Sequence, residues 1–214
     1  MKISIVITVY NGEKFISKAI RSCIEQSISK HDYEIIVVND GSTDNTKYIL
    51  DSFGDWIRVM TLAKNKGLPY ACNIGIKQAV GQYVIRVDAD DYVHEDILKV
   101  GSLFLNMNLE MDAAAFDYYL VNEHDEKIER VSAKDNPIAC GIMFRKDHLI
   151  DIGLYDEKFR LIEDEDLRIR FLKKHSMAYI SLPLYRYRMH GNNSTKNRGR
   201  VRLYRKKLKE KHNL

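Results

Sequence analysis

Four short runs rich in β-branched residues punctuate the first half of the chain: Ile3 to Val9, Tyr33 to Asn39, Ile57 to Leu62 and Tyr83 to Asp88. The first, second and fourth are almost continuously apolar, as expected of parallel strands buried on both faces. Helical patterns separate them. Lys14 to Gln26 places Phe15, Ala19, Ile20, Cys23 and Ile24 on one stripe. Asp44 to Phe53 follows Ser42-Thr43-Asp44, a helix-start signal, and Pro69 to Ala79 opens on a proline suited to a first helical position. Strands alternating with helices predict βαβ units and a doubly wound α/β sheet, whose ligands bind beyond the carboxyl ends of the strands.

The second half is less regular. Glu95 to Asn106 reads as a helix, Ala113 to Asn122 as a strand, His124 to Lys127 as a turn and Pro137 to Phe144 as an extended segment. Asp164 to His175 reads as a helix with an acidic first turn, which suits the helix dipole. Met177 to Ser181 and Leu184 to Arg188 read as short strands around Pro183, and Arg200 to His212 as a basic amphipathic helix with Val201, Tyr204 and Leu208 on one face.

The candidate chemistry gathers at the strand ends. Thr8-Val9-Tyr10-Asn11-Gly12, Asn39-Asp40-Gly41-Ser42 and Asp88-Ala89-Asp90-Asp91 bring hydroxyl, amide and carboxylate groups to one rim. In the last of these, three carboxylates follow directly on a buried strand. Like charges repel and partial burial makes each harder to ionise. A hard divalent cation removes the conflict and shares its oxygen ligands with phosphates, so the stretch reads as a metal–diphosphate site.

Composition narrows the rest. The 214 residues, 45% hydrophobic and 30% charged, suit one globular domain with an appendage. Cys23, Cys72 and Cys140 form no CxxC pair, which argues against a zinc site or a disulfide framework and for a reducing compartment. The apolar start breaks at Tyr10-Asn11-Gly12 without a small-residue cleavage site and reads as a strand, not a signal peptide. No apolar stretch approaches the roughly 20 residues of a membrane span. The net charge of +4 is uneven: nine Lys/Arg against Glu210 alone give +8 from Lys196 onward, leaving −4 for the rest. The tail has three readings: a solvated helix packed on the domain, a nucleic-acid arm, or an element drawn to an anionic membrane. The body carries no nucleic-acid-binding motif, so no nucleic acid is expected, and the membrane reading is favoured.

In their order, six stretches resemble the family-2 glycosyltransferases of the GT-A fold. They are Thr8 to Asn11; Glu34 to Asp44; Asn65-Lys66-Gly67 with Ala71 to Gly75; Val87 to Asp91; Ile152 to Phe159; and Glu163 to Leu167. The resemblance implies a Rossmann-like mixed sheet with helices on both faces. Residues 1–92 would be its nucleotide-binding half, 93–195 its acceptor-binding half, and 196–214 the basic tail. By resemblance, Thr8 and Tyr10 frame the nucleotide base and Asp40 accepts the uracil N3–H of a UDP donor. Lys66 and Asn73 lie where donor contacts occur, although Cys72 stands where many members carry arginine, so Lys66 or Arg86 would supply the charge. Asp88 serves the ribose or a water-bridged metal, and Asp90 coordinates Mn²⁺ or Mg²⁺ directly, with His190 completing the metal or diphosphate site. Asp91 is either a supporting residue or the cap of the helix near Glu95. Asp164 is the candidate base, with Glu163, Glu165 and Asp166 its rivals, and Asp166 a candidate ion-pair partner of Arg170. Gly141 and Glu163 belong to the expected acceptor pocket.

The expected activity is inverting transfer of a sugar from a nucleotide diphosphate sugar to a hydroxyl of a surface polysaccharide or lipid-linked glycan. The expected place is the cytoplasm, at the inner face of the membrane. Two rivals remain at this stage: a nucleotidyltransferase making a nucleotide sugar, and a non-catalytic nucleotide-sugar-binding subunit.

Overall fold

Strands β1 (Ile3–Val9), β2 (Tyr33–Asn39) and β4 (Tyr83–Asp88) occupy the apolar runs read from the sequence, and β3 (Arg58–Thr61) is shorter than its run. The protein is seen here as a computed structural model that describes residues 2–191 and 198–213. Helices α1 (Ile16–Ile24), α2 (Thr46–Asp51) and α3 (Leu68–Gln78) connect these strands. The second half supplies β5 (Tyr92–Val93), α4 (Ile97–Met107), β6 (Ala113–Val121), β7 (Lys127–Val131), β8 (Ile142–Arg145), α5 (Lys146–Asp151), α6 (Glu163–Leu172), β9 (Met177–Arg188) and α7 (Arg198–His212).

The nine strands of the described residues join one mixed sheet in the order β3-β2-β1-β4-β8-β6-β9-β5, with β7 paired to β6. β3, β2, β1 and β4 run parallel. β8 is antiparallel to both β4 and β6. The strand order reverses at β1, and its carboxyl end and that of β4 open on the same edge, where such sheets bind ligands. The sheet runs without a break through the expected boundary at residue 92, and the boundary at 195 lies outside the described residues.

Two cores cover the two faces. Ile3, Ile5, Ile7 and Val9 pack with Ile20 of α1 and Leu98 of α4. Val6, Ile36 and Val38 pack with Ala71 and Ile76 of α3 and Phe171 of α6. Side chains alternate between faces along a strand, so one apolar run feeds both layers. α3 lies close on the sheet: a Cβ on Gly75 would stand 2.4 Å from Val6 Cγ1.

β9 corrects the reading of two strands around Pro183. It is one strand, and the shift in its register against β6 places Ser181 to Leu184 in a bulge. Proline cannot donate to a sheet ladder, and a bulge accommodates it. β7 and α5 were not foreseen. β7 is a mostly exposed edge strand whose sequence KIERV looks like loop, and α5 is too short to show a period.

The tail also departs from the favoured reading. α7 docks on its own domain. Leu208 is buried, Tyr204 meets Phe159 with ring centroids 6.4 Å apart, and Lys211 Nζ and His212 Nε2 reach Asp166 Oδ1 at 2.6 and 2.8 Å. Lys211 also pairs with Asp156 at 2.8 Å, and Arg205 with Glu165 at 3.2 Å. Docking thus diverts charges on which membrane attraction relied. Among the described residues, no helix is long and apolar enough to cross a membrane.

Asp166 is fully buried beneath this clasp and also pairs with Arg170 at 2.8 Å, the ion pair read from the sequence. Burial alone would push its carboxyl up, but bonds from Lys211, His212 and Arg170 outweigh it and hold the group below the usual range. Its stabilisation is therefore present above the ordinary carboxylate pKa of about 4 and is lost as pH falls through the lowered folded value. Replacing Asp166 with Asn leaves the cations without a counter-charge and is expected to cost about 3 kcal/mol. Urea unfolding measures the cost, and hydrogen exchange should show faster opening of residues 198–212.

Candidate active site

The loops after β1 and β2 are stitched together at the rim. Asn11, in the left-handed region at φ 52°, accepts from Thr43 N with Oδ1 at 2.8 Å and donates its own N–H to Ser42 Oγ at 2.9 Å. Gly12 N donates to Thr46 Oγ1 at 2.9 Å. Asp44, just before α2, accepts from Thr46 N at 3.0 Å and from Glu13 N at 3.1 Å. These bonds fix Tyr10 at the strand end with its ring half exposed.

At the end of β4 the acids have separate partners. Arg86, buried in the strand, donates through Nε and Nη2 to the two oxygens of Asp88 at 2.7 and 3.2 Å. Its Nη1 donates to Glu163 Oε1 of α6 at 3.1 Å. Asp91 is buried. It accepts from Tyr185 O–H at 2.8 Å and from Arg188 N at 2.7 Å, so it anchors β9 and caps no helix. Burial and then repulsion from Asp90 and Asp88 push its carboxyl well up. Asp88 N donates to the same Tyr185 hydroxyl at 3.1 Å, and Arg188 Nε holds Asp90 O at 2.7 Å. Asp90 keeps its carboxylate toward the cleft, where Oδ2 lies 2.7 Å from His190 Nε2. Phe15 supports that imidazole, with ring centroids 5.2 Å apart.

Two cavities meet here. One, of about 590 Å³, is lined by Thr8, Tyr10, Asn11, Asp90 and His190. The other, of about 900 Å³, is lined by Ile138, Glu163, Asp164, Arg160 and the face of α7 that carries Arg202 and Lys209. Leu68, Arg86, Asp88 and Tyr187 line both. A reactant in each would meet at the Arg86–Asp88 pair.

The four acids of α6 sort themselves by direction, since successive helical residues point about 100° apart. Glu163 faces Arg86, Glu165 faces Arg205 and Asp166 lies under the clasp. Asp164 remains, part-exposed to the larger cavity, with Arg168 at 3.9 Å. Desolvation raises its carboxyl against the opposing pull of Arg168 and Arg86. Ile162, just before the helix, has φ 56°, a costly conformation for a β-branched residue and one that tends to persist at functional sites.

A family model, Glycosyl transferase family 2, matches residues 4–170. The chain belongs to this family. Among its relatives is the poly(ribitol-phosphate) beta-N-acetylglucosaminyltransferase TarS of Staphylococcus aureus, 36% identical over 109 residues, 50% of this chain and 19% of the relative. A poly(ribitol-phosphate) beta-glucosyltransferase of Bacillus spizizenii is 44% identical over 102 residues, 46% of this chain and 16% of the relative. The chain thus spans less than a fifth of either relative. The crystal structure of TarS residues 1–349 with UDP-GlcNAc superposes with a TM-score of 0.80 at 23% identity, over 92% of this chain and 61% of that one. The mannosyltransferase PcManGT of Pyrobaculum calidifontis, solved with GDP-Man and Mn2+, superposes at 0.70 with 16% identity, over 95% of this chain and 60% of that one. The fold is GT-A.

Within that family frame, several expected residues are not brought to the cleft. Asp40 is buried and accepts from Lys66 N at 2.7 Å and Gly67 N at 2.8 Å, so its carboxylate clamps the loop before α3. Lys66 itself is exposed, its Nζ 5.9 Å from the Tyr70 ring. Asn73 is buried and spends its amide on the backbone of Tyr155, donating at 2.9 Å and accepting at 2.9 Å. Arg86 carries its charge between two carboxylates and does not present it to solvent. Gly141 is no opening for a sugar: with φ at 68°, a Cβ would stand 2.7 Å from the Tyr185 ring. Thr8 sits at the cleft wall, its hydroxyl buried without a full hydrogen bond. Tyr185, Tyr187 and Arg188 were missed. Their signal was the alternation Leu-Tyr-Arg-Tyr-Arg, in which arginines fall in a strand that must meet the β4 acids.

Among the described residues, three groups of donor atoms lie close enough to share a cation: Asp112 with His148 and His175, His94 with Glu95 and Asp96, and, at the cavities, Asp88 with Asp91 and Cys140. Asp88, Asp91 and Cys140 approach one another closely, but Arg86, Tyr185 and Arg188 occupy the carboxylates and burial pushes the Cys140 thiol well up. Asp90 and His190 offer one carboxylate oxygen and one imidazole nitrogen facing the smaller cavity. That pair could hold a divalent cation whose further ligands come from a diphosphate.

Gly141→Ala is expected to lower stability by about 2 kcal/mol from backbone strain, with further loss as Tyr185 is displaced from Asp88 and Asp91. Thermal unfolding checks the first part. Weaker UDP binding by the folded fraction checks the second.

Proposed function

We propose that this chain is the transferase core of an inverting glycosyltransferase. It moves a hexose or N-acetylhexosamine from a UDP-linked donor to a hydroxyl of a cell-surface polymer. The observation that carries the proposal is the junction of two cavities at Arg86–Asp88, with Asp90 and His190 on one side and Asp164 on the other. The TarS structure with UDP-GlcNAc supports a uridine donor, and the names of the poly(ribitol-phosphate) relatives support a polymer hydroxyl as acceptor.

The donor lies in the smaller cavity, its base against Tyr10 and its diphosphate toward Asp90 and His190. Thr8 offers its buried hydroxyl at the same wall. Asp40 contributes indirectly by closing the Lys66–Gly67 loop. Asp88, held on two oxygens by Arg86, has a fixed orientation on the ribose side. A divalent cation bound at Asp90 and His190 would stabilise charge on the departing diphosphate. Asp164 takes the proton from the acceptor hydroxyl as that oxygen attacks the anomeric carbon. One base and one displacement invert the configuration. Its raised carboxyl brings the base nearer the neutral pH at which a general base works best.

Asp164→Asn is expected to cut turnover by a factor of about 100 or more with UDP binding retained, in keeping with loss of a general base. Wild-type turnover in that variant would overturn the assignment. The base must be ionised, so the acid limb of the wild-type rate profile should lie above the ordinary aspartate value of about 4. Asp90→Ala should weaken Mn²⁺-dependent UDP binding in calorimetry. Release of pyrophosphate in place of UDP would make the chain a nucleotidyltransferase and refute the proposal.

A further inference from the structure

α7 carries two stripes. Tyr204, Leu208, Lys211 and His212, spaced i, i+4, i+7 and i+8, form the docking stripe. Turned from it, Arg202, Arg205, Lys206 and Lys209 line the 900 Å³ cavity that also holds Asp164. The only acid of the helix, Glu210, does not line that cavity. Arg160, beside Leu161 and Ile162, adds another cation to the same lining.

Arg205 is held by Glu165, and Lys206 lies 3.9 Å from Glu210. Arg160, Arg202 and Lys209 have no carboxylate partner among the described residues. Their charges stand in a cavity that already holds the acids Glu163, Asp164 and Glu165. Glu163 and Glu165 are paired with Arg86 and Arg205, which leaves Asp164 to repel an anionic acceptor, and the cations of the wall outnumber it. A neutral glycan needs no such wall. From Arg202 to Lys209 the row extends about 10 Å along the helix axis, longer than a single anion.

We propose that α7 is a binding wall for acceptors bearing repeated phosphate groups, with Arg202, Lys206 and Lys209 as the contacts and Arg160 in the same lining. This rests on the reading of the larger cavity as the acceptor side. The helix docks through one stripe so that the other faces the substrate. Lysine and arginine ammonium and guanidinium groups engage phosphate oxygens in charge-assisted hydrogen bonds, weakened by salt. Phosphodiesters along a polymer and phosphates of a lipid surface share this chemistry. The polymer is favoured because these cations, although exposed, line the cavity that holds the base.

The test uses the full chain and a soluble polyol phosphate oligomer, an uncharged polyol of equal length and phosphatidylglycerol vesicles as probes. Calorimetry at low salt should give binding of the oligomer at least ten-fold tighter than of the uncharged polyol, falling as salt rises. The triple variant Arg202→Ala, Lys206→Ala, Lys209→Ala should lose at least ten-fold for the oligomer, while Lys207→Ala, off the cavity, should lose less than two-fold. Unfolding midpoints confirm that each variant is folded. Equal binding by the triple variant, or an equal loss in Lys207→Ala, would overturn the proposal. So would binding to the vesicles in preference to the oligomer, which would assign the cations to a lipid surface. UDP binding by the wild type, measured alongside, reports on the donor reading separately: its absence would sink the transferase proposal and leave the phosphate-binding result standing.

Discussion

The guanidinium of Arg86 is buried in β4, where a lone charge would be far too costly to keep. It is tolerable because Asp88 follows two residues later in the same strand and Glu163 arrives from α6. That requirement ties together parts of the chain nearly eighty residues apart. It orients the first acid at the end of β4 and sets the rotation of α6, which decides the direction of every other acid on that helix. Removing Arg86 leaves two carboxylates without their counter-charge, a loss typically of several kcal/mol.

From that fixed rotation the rest of the cleft follows. With Glu163 turned to Arg86, Asp166 points away and is buried under Arg170, Lys211 and His212. α7 is thereby brought against the domain, and its second stripe becomes a cavity wall. Asp164 is left between, bonded to neither anchor and raised by desolvation. On the other side, Tyr185 and Arg188 of β9 hold Asp91 and the backbone of Asp90. Those contacts leave the Asp90 carboxylate facing His190. Acids held in ion pairs and acids turned to the cavities thus alternate along two short segments.

The parallel half of the sheet was legible because its strands are buried on both faces and carry unbroken apolar runs. The cluster at the end of β4 was legible because so many carboxylates on a buried strand demand partners. The fate of each acid was not. Glu163, Asp164, Glu165 and Asp166 look alike in sequence, and only their partners on β4, α6 and α7 distinguish them. Asp40 and Asn73 show the converse: groups of the right type at the right places, engaged by backbone of distant loops. Gly141 was read as an opening because a missing side chain suggests space, whereas here the Tyr185 ring fills it. The tail's charge was visible, but not the buried Asp166 that captures part of it.

The central claim is that Asp90 and His190 face the donor diphosphate while Asp164 faces the acceptor across the Arg86–Asp88 junction. Crystals of the chain soaked with Mn²⁺ and a non-hydrolysable UDP-sugar would test it most directly, using anomalous scattering to locate the metal. The account predicts an anomalous peak contacting Asp90 and His190, the base beside Tyr10, and the sugar directed toward Asp164. Metal bound instead among Asp88, Asp91 and Cys140, or a sugar directed away from α6, would contradict it.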